Sequence, residues 1–183
     1  MLWGALIFLV VAIGDLFALA LLLRFMLQLL RAPARNPFSQ FVAALTDFVV
    51  RPARRVIPGL GGFDLATLAL AWLTEVARFW IQLQLKVYEL GSAAALAAIQ
   101  ITRLAVYVVM VAVVVQAVLS WFNPYSPLAP LLASVTRPFL RPFQKFVPMI
   151  ANVDLSPLFV LIVCQMLLTV PLTLLDALVR RVM

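Results

Sequence analysis

The sequence predicts an all-α polytopic membrane protein. It should have about four transmembrane helices plus two interfacial amphipathic helical segments, arranged as a parallel tandem repeat. Three observations carry this. Of 183 residues, 66% are hydrophobic and only 11% charged, against about 45–50% and about 25% in a soluble domain. Four apolar stretches come close to or exceed the roughly 20 residues a helix needs to cross a hydrocarbon core. A set of residue pairs that are not simply apolar recurs in both halves of the chain.

The first span runs from about Leu2 to Leu23, and extends toward Leu30. It lacks the basic start and small-residue cleavage site of a signal peptide. The second begins after Asp64 and continues through Leu85. The third lies within Ala93–Phe122 and is most apolar over Leu104–Leu119, with Ala93–Thr102 as an alternative interfacial helix. The fourth covers Leu155 to about Leu178, with Pro171 expected to kink it.

Between spans one and two, Phe38, Phe41, Val42, Leu45, Phe48 and Val49 recur at helical spacing, so one face is apolar. Asn36 suits the N-cap with Pro37 at N1, where a missing N–H costs nothing. Pro52 disfavours helical geometry at Arg51, which predicts that the helix ends there. A helix this short and amphipathic fits the membrane interface. The second connection repeats the design, with Ser126 and Pro127 as cap and N1, Leu128, Leu131, Leu132 and Val135 as the stripe, and Arg137, Arg141 and Lys145 as charge.

The repeat is explicit. Asn36-Pro37 answers to Asn123-Pro124, Thr46 to Thr136, Arg51-Pro52 to Arg141-Pro142, Pro58 to Pro148, and Asp64-Leu65 to Asp154-Leu155. These matches divide the chain into residues 1–90 and 91–183, each reading as span, basic amphipathic segment, span. Two spans per half make the copies parallel, unlike the inverted repeats common in transporters. Arg31, Arg35, Arg51, Arg54, Arg55, Arg137, Arg141 and Lys145 lie in the two repeat loops, whereas Lys86, Arg180 and Arg181 lie opposite. The positive-inside bias puts the repeat loops in the cytoplasm and both termini outside.

The second-half run Asn123-Pro124-Tyr125-Ser126-Pro127, followed by Thr136-Arg137-Pro138-Phe139-Leu140-Arg141-Pro142, Pro148 and Asp154-Leu155-Ser156-Pro157, resembles the YggT family. That family comprises integral membrane proteins of bacteria and plastids, and many bacterial members carry the domain twice. The first copy departs from the pattern at Asp47-Phe48 and Ala66-Thr67. The resemblance implies a bacterial inner-membrane protein connected with osmotic-stress tolerance, potassium homeostasis, cell division or membrane organisation. A plastid relative is linked to haem attachment during cytochrome assembly. The resemblance carries over no catalytic residue.

The side chains narrow the chemistry. Without His and with Cys164 alone, the chain has no Ser-His-Asp triad, His-bound metal or internal disulfide. A non-enzyme without cofactor or metal is expected. The excess of 14 Lys and Arg over 7 Asp and Glu suits anionic lipid and topology rather than nucleic acid. Intramembrane charge is the default functional signal. Glu75, Arg78, Gln82 and Lys86 share one helix face, and Asp15 needs a partner such as Arg103 or Arg78 from another span. Asp15, Glu75, Arg78, Gln82 and Arg103 therefore form the candidate polar seam, which either lines a hydrophilic cavity or docks a partner helix, or else is a Glu75–Arg78 pair that tethers span two to a neighbour through Gln28 or Gln116; Arg24 should snorkel to the interface. A milder seam of Gln165, Thr169, Thr173 and Asp176 is expected to bond across helix interfaces. Arg51, Arg54, Arg55, Arg137, Arg141 and Lys145 are candidate contacts for anionic lipid, a membrane-protein partner or a second copy. The expected function is membrane homeostasis or assembly of membrane complexes; the alternative is a subunit of an ion channel or transporter.

Overall fold

The computed structural model describes residues 2–59, 62–83, 90–123, 125–145 and 154–182. Lys86, Pro124 and Pro148 lie outside them. Seven helices occupy the described residues: α1 (Leu2–Leu29), α2 (Pro37–Val56), α3 (Leu65–Leu83), α4 (Leu90–Phe122), α5 (Ala129–Gln144), α6 (Ser156–Thr169) and α7 (Pro171–Val182). Their main core draws Leu21, Leu22 and Met26 from α1, Val50 from α2, Ala71 from α3, Val109 and Val113 from α4, Leu140 from α5, and Val160 and Cys164 from α6. The outer faces remain apolar, as at Trp3, Phe8, Leu16, Val111 and Met166, which suits lipid rather than water.

Among the described residues, three stretches are long and apolar enough to cross a membrane: Trp3–Leu29, Leu90–Phe122 and Ser156–Arg181. The expected second span, α3, falls outside that group. It has 19 residues, and Glu75 and Arg78 reduce its apolarity. It nevertheless packs along both α1 and α4, and α4 meets it through the fully buried Ala93, Leu96 and Ala97. Small side chains of this kind let membrane helices approach closely.

Several boundaries differ from expectation. Residues 90–122 form one unbroken 33-residue helix, about 50 Å long at about 1.5 Å per residue, so Ala93–Thr102 is not a separate element. The expected fourth span is interrupted at Val170, before Pro171, where α6 gives way to α7. Bonds from Val170 N to Met166 O (3.0 Å) and from Leu174 N to Val170 O (3.1 Å) carry the chain across the joint.

α2 does not stop at Arg51. It runs through Pro52 to Val56, and α5 likewise contains Pro138 and Pro142. An interior proline removes a backbone bond and costs about 3 kcal/mol. Here all three prolines are exposed, while Val42, Thr46 and Val50 hold one helix against the core and Leu132, Val135, Thr136 and Leu140 hold the other. Tertiary burial outweighs the local preference. On α2 the sequence stripe divides: Val42 is buried, whereas Phe38, Phe41, Leu45 and Phe48 face outward.

Asn36 does cap α2, its side chain accepting from Phe38 N at 2.9 Å, with Pro37 at the first position. The second copy departs here. α5 starts at Ala129 without a side-chain cap, because Ser126 Oγ instead accepts from Leu128 N (3.3 Å) in the preceding turn.

Candidate functional site

The membrane-level charges gather around one guanidinium. Arg78 Nε donates to Glu75 Oε2 at 2.7 Å, one turn away on α3. Asp15 Oδ1 on α1 lies 2.9 Å from the same nitrogen, held by charge without a hydrogen bond. Arg78 Nη1 donates to Gln82 Oε1 at 2.7 Å, and its Cζ lies 4.0 Å from the centroid of the Phe79 ring. Glu75 is fully buried, and its Oε1 has no hydrogen-bond partner. The cluster therefore holds a buried pair, Arg78–Glu75, within α3 and joins it to α1 through the half-exposed Asp15, and removing Arg78 would strand the Glu75 charge in a low-dielectric setting.

Arg103 stands apart from this cluster: its Nη1 donates to Gln100 Oε1 at 3.3 Å on its own helix. Asp15 pairs with Arg78 because α3 packs along α1. Neither Gln28 nor Gln116 tethers the seam. The Gln28 amide, with its nitrogen toward the carboxylate, donates to Asp64 Oδ2 and accepts from Arg54 Nη2, both at 2.7 Å. The milder seam stays on its own helix: Thr169 Oγ1 donates to Gln165 O (2.8 Å), and Arg180 Nε donates to Asp176 Oδ2 (2.8 Å).

Arg24 does not snorkel. It is 7% exposed, and its Nη1 donates to Thr46 Oγ1 (2.8 Å) and Ala43 O (3.2 Å). The same nitrogen pairs with Asp47 Oδ1 at 2.8 Å, and Arg51 takes the other Asp47 oxygen at 2.7 Å. The hydrogen bond from Arg24 is the main reason the Asp47 carboxyl ionises below its ordinary 3.8. In the second half Gln116 of α4 meets the fully buried Thr136 of α5. A buried threonine thus docks each amphipathic helix onto the long helix before it. Thr46 and Thr136 were visible as a matched pair, each one turn from a valine or leucine of the buried face, but sequence alone assigned them no role.

A second attachment recurs eight residues on, at Arg54 and Gln144. Arg54 Nη2 at the end of α2 binds Asp64 Oδ2 at 2.5 Å, and Asp64 caps α3 by accepting from Thr67 N at 3.3 Å. In the second half Gln144 Nε2 donates to Asp154 Oδ2 at 3.0 Å, and Asp154 Oδ1 accepts from Ser156 N at 2.8 Å. Sequence reading matched the aspartates but missed Arg54 and Gln144, which the same offset of about 90 residues pairs. Burial opposes ionisation of both aspartates, yet the bonds from Arg54 and Thr67, and from Ser156 and Gln144, hold both carboxyls below 3.8.

The remaining motif residues separate into buried and exposed. Asn36 is buried and donates from Nδ2 to Pro127 O at 2.8 Å, joining the two copies; its counterpart Asn123 is exposed, as are Pro52, Pro58 and Pro142. Arg55, Arg137, Arg141 and Lys145 are exposed, with no acidic partner among the described residues. Chemically, the arrangement can hold anions at the ends of two amphipathic helices and stabilise charge within the bundle.

A family model described as CCB3/YggT matches the chain twice, over residues 3–85 and 95–175. An uncharacterized protein of Pseudomonas aeruginosa is 36% identical over 169 residues, covering 89% of this chain and 86% of its own. A Vibrio alginolyticus protein from the proC 3′ region is 32% identical, over 86% of this chain and 88% of its own. The Escherichia coli K12 protein YggT is 29% identical, over 87% and 85%. No solved structure matches.

Proposed function

The chain belongs to the CCB3/YggT family, and from that premise we propose a non-enzymatic protein of the bacterial inner membrane that holds anionic lipids and partner helices. In this reading it supports membrane homeostasis, osmotic-stress tolerance included, or the assembly of membrane complexes. One observation carries it most: α2 and α5 combine outward apolar side chains with unpaired basic ones. Phe41 and Phe48 are 64% and 70% exposed beside Arg55, and Arg137, Arg141 and Lys145 lie along α5. A juxtamembrane basic residue gains about 1 kcal/mol near an anionic leaflet, and apolar faces on interfacial helices favour insertion.

Topology completes the proposal. If α3 crosses as the second span, its charge neutralised by the Asp15–Arg78–Glu75 cluster, then α2 and α5 lie on one side, the cytoplasmic one by the positive-inside rule. Crosslinking of the tagged protein in its native membrane, followed by mass spectrometry, tests the function. A stoichiometric membrane complex, lost when Arg137, Arg141 and Lys145 become Gln, is the expected result. Recovery of self-crosslinked oligomers alone would overturn it in favour of the ion channel or transporter reading, for which the half-exposed Asp15 carboxylate is the supporting feature. Ion flux in liposomes would then be decisive.

A further inference from the structure

Two cavities meet at Leu27. One is an apolar groove of about 410 Å³ between α1, α4 and α5, lined by Leu19, Leu23 and Leu27, by Val111, and by Leu131 and Val135 among others. The other is a pocket of about 220 Å³ at the junction of α1 and α2, to which Arg24, Gln28, Arg31, Ser39 and Gln40 contribute polar atoms. The first lies between two helices of membrane-crossing length; the second sits where α1 ends. An apolar trough beside a polar pocket, with Leu27 in both linings, matches the two parts of an amphiphile.

The polar pocket is also electrically incomplete. Arg24 is more than nine-tenths buried, yet its Nε has no hydrogen-bond partner among the described residues. A buried donor left unsatisfied is a defect that a bound acceptor would repair. Arg24 and Arg31 line the pocket with no carboxylate among its lining residues, and the Asp47 that pairs with Arg24 is shared with Arg51. Arg31 makes no ion pair among the described residues.

The backbone of Arg31 adds an independent sign. α1 terminates in a Schellman motif, with Ala32 N bonded to Leu27 O (2.8 Å) and Arg31 N to Gln28 O (3.1 Å). That motif puts its terminal residue in the left-handed region, and Arg31 has φ 53°. Glycine is the usual occupant. Here an arginine occupies the glycine position, and it lines the pocket.

We propose that the groove and pocket together hold one anionic phospholipid, an acyl chain lying along α1 and α4 and its phosphate between Arg24 and Arg31. This rests on the lipid-binding reading above and narrows it to a single site, separate from the basic face of α5.

The test uses the full-length protein in mild detergent, with dioleoyl phosphatidylglycerol added and bound lipid counted by native mass spectrometry. Wild type should retain one such lipid in preference to phosphatidylcholine. Arg31→Gly, which suits the left-handed backbone, should lower retention at least tenfold without lowering the melting temperature. Val111→Trp, an outward residue that fills the groove, should do the same. Neutralising Arg137, Arg141 and Lys145 should leave this lipid in place. Wild-type retention by Arg31→Gly or Val111→Trp would overturn the site. Equal retention of phosphatidylcholine, or displacement by inorganic phosphate alone, would also overturn it. If the α5 variant alone loses the lipid, this site falls while the general lipid reading stands; if no variant or wild type holds lipid, both fall.

Discussion

In the first half of the molecule charged side chains fasten the amphipathic helix at its middle and at its C-terminal end, Arg24 on Thr46 and Asp47, and Arg54 on Asp64. In the second half Gln116 and Gln144 occupy the corresponding roles, on Thr136 and Asp154. The shared attachment is therefore a buried threonine and a capping aspartate, and the charge is an addition to it. The seam differs in the same direction. The offset that relates the aspartates sets Glu75, fully buried and paired, against Gln165, which is exposed and meets only its own helix. The first half uses its acidic residues internally, whereas α5 keeps its basic residues for what lies outside.

The largest expected contrast tests that asymmetry. Arg78→Ala strands Glu75 and should destabilise the detergent-solubilised protein by about 3–5 kcal/mol, whereas Gln165→Ala should stay within about 0.5 kcal/mol. Comparable losses by thermal or chemical denaturation would break the comparison. Next in size, Arg24→Ala should cost about 3 kcal/mol, the low end for a broken buried pair because Arg51 still compensates Asp47. Gln116→Ala removes a neutral bond worth about 1 kcal/mol.

The aspartate attachments should differ in response rather than in size. Both carboxyls ionise below 3.8 in the folded protein, so their contribution is present above the usual carboxylate range and is lost as pH falls through the lowered values. Asp64→Ala and Asp154→Ala should each cost about 1 kcal/mol at neutral pH and flatten the acid limb of the stability profile. Only the Asp64 effect should shrink in high salt, because Arg54 is partly exposed. The smallest contrast is Asn36→Ala, about 1 kcal/mol for a lost N-cap, against Asn123→Ala, which should be near neutral on an exposed turn. Melting curves of both variants check it.

Much of this was legible in the sequence because the informative residues are not apolar. Asn36-Pro37 marks a cap, and Asp64 with Asp154 marks helix starts whose chemistry is local. What escaped was tertiary. Whether Pro52 ends α2 or is carried through it depends on Val42, Thr46 and Val50 finding a core. Arg103 was as good a partner for Asp15 as Arg78 until the neighbours of α1 were known. Arg24 looked like an interfacial residue because Asp47, its partner, lies 23 positions away on an element whose docking face no periodicity reveals.

The arrangement of the two halves is tested most directly by sidedness. In a Cys164→Ser background, single cysteines at the exposed Arg55 and Arg137 can be labelled with a membrane-impermeant thiol reagent in spheroplasts and in inverted vesicles. Four crossings, with α3 among them, predict that both sites label in inverted vesicles and neither in spheroplasts. Labelling from opposite sides would mean that α3 does not cross, and would contradict the parallel repeat.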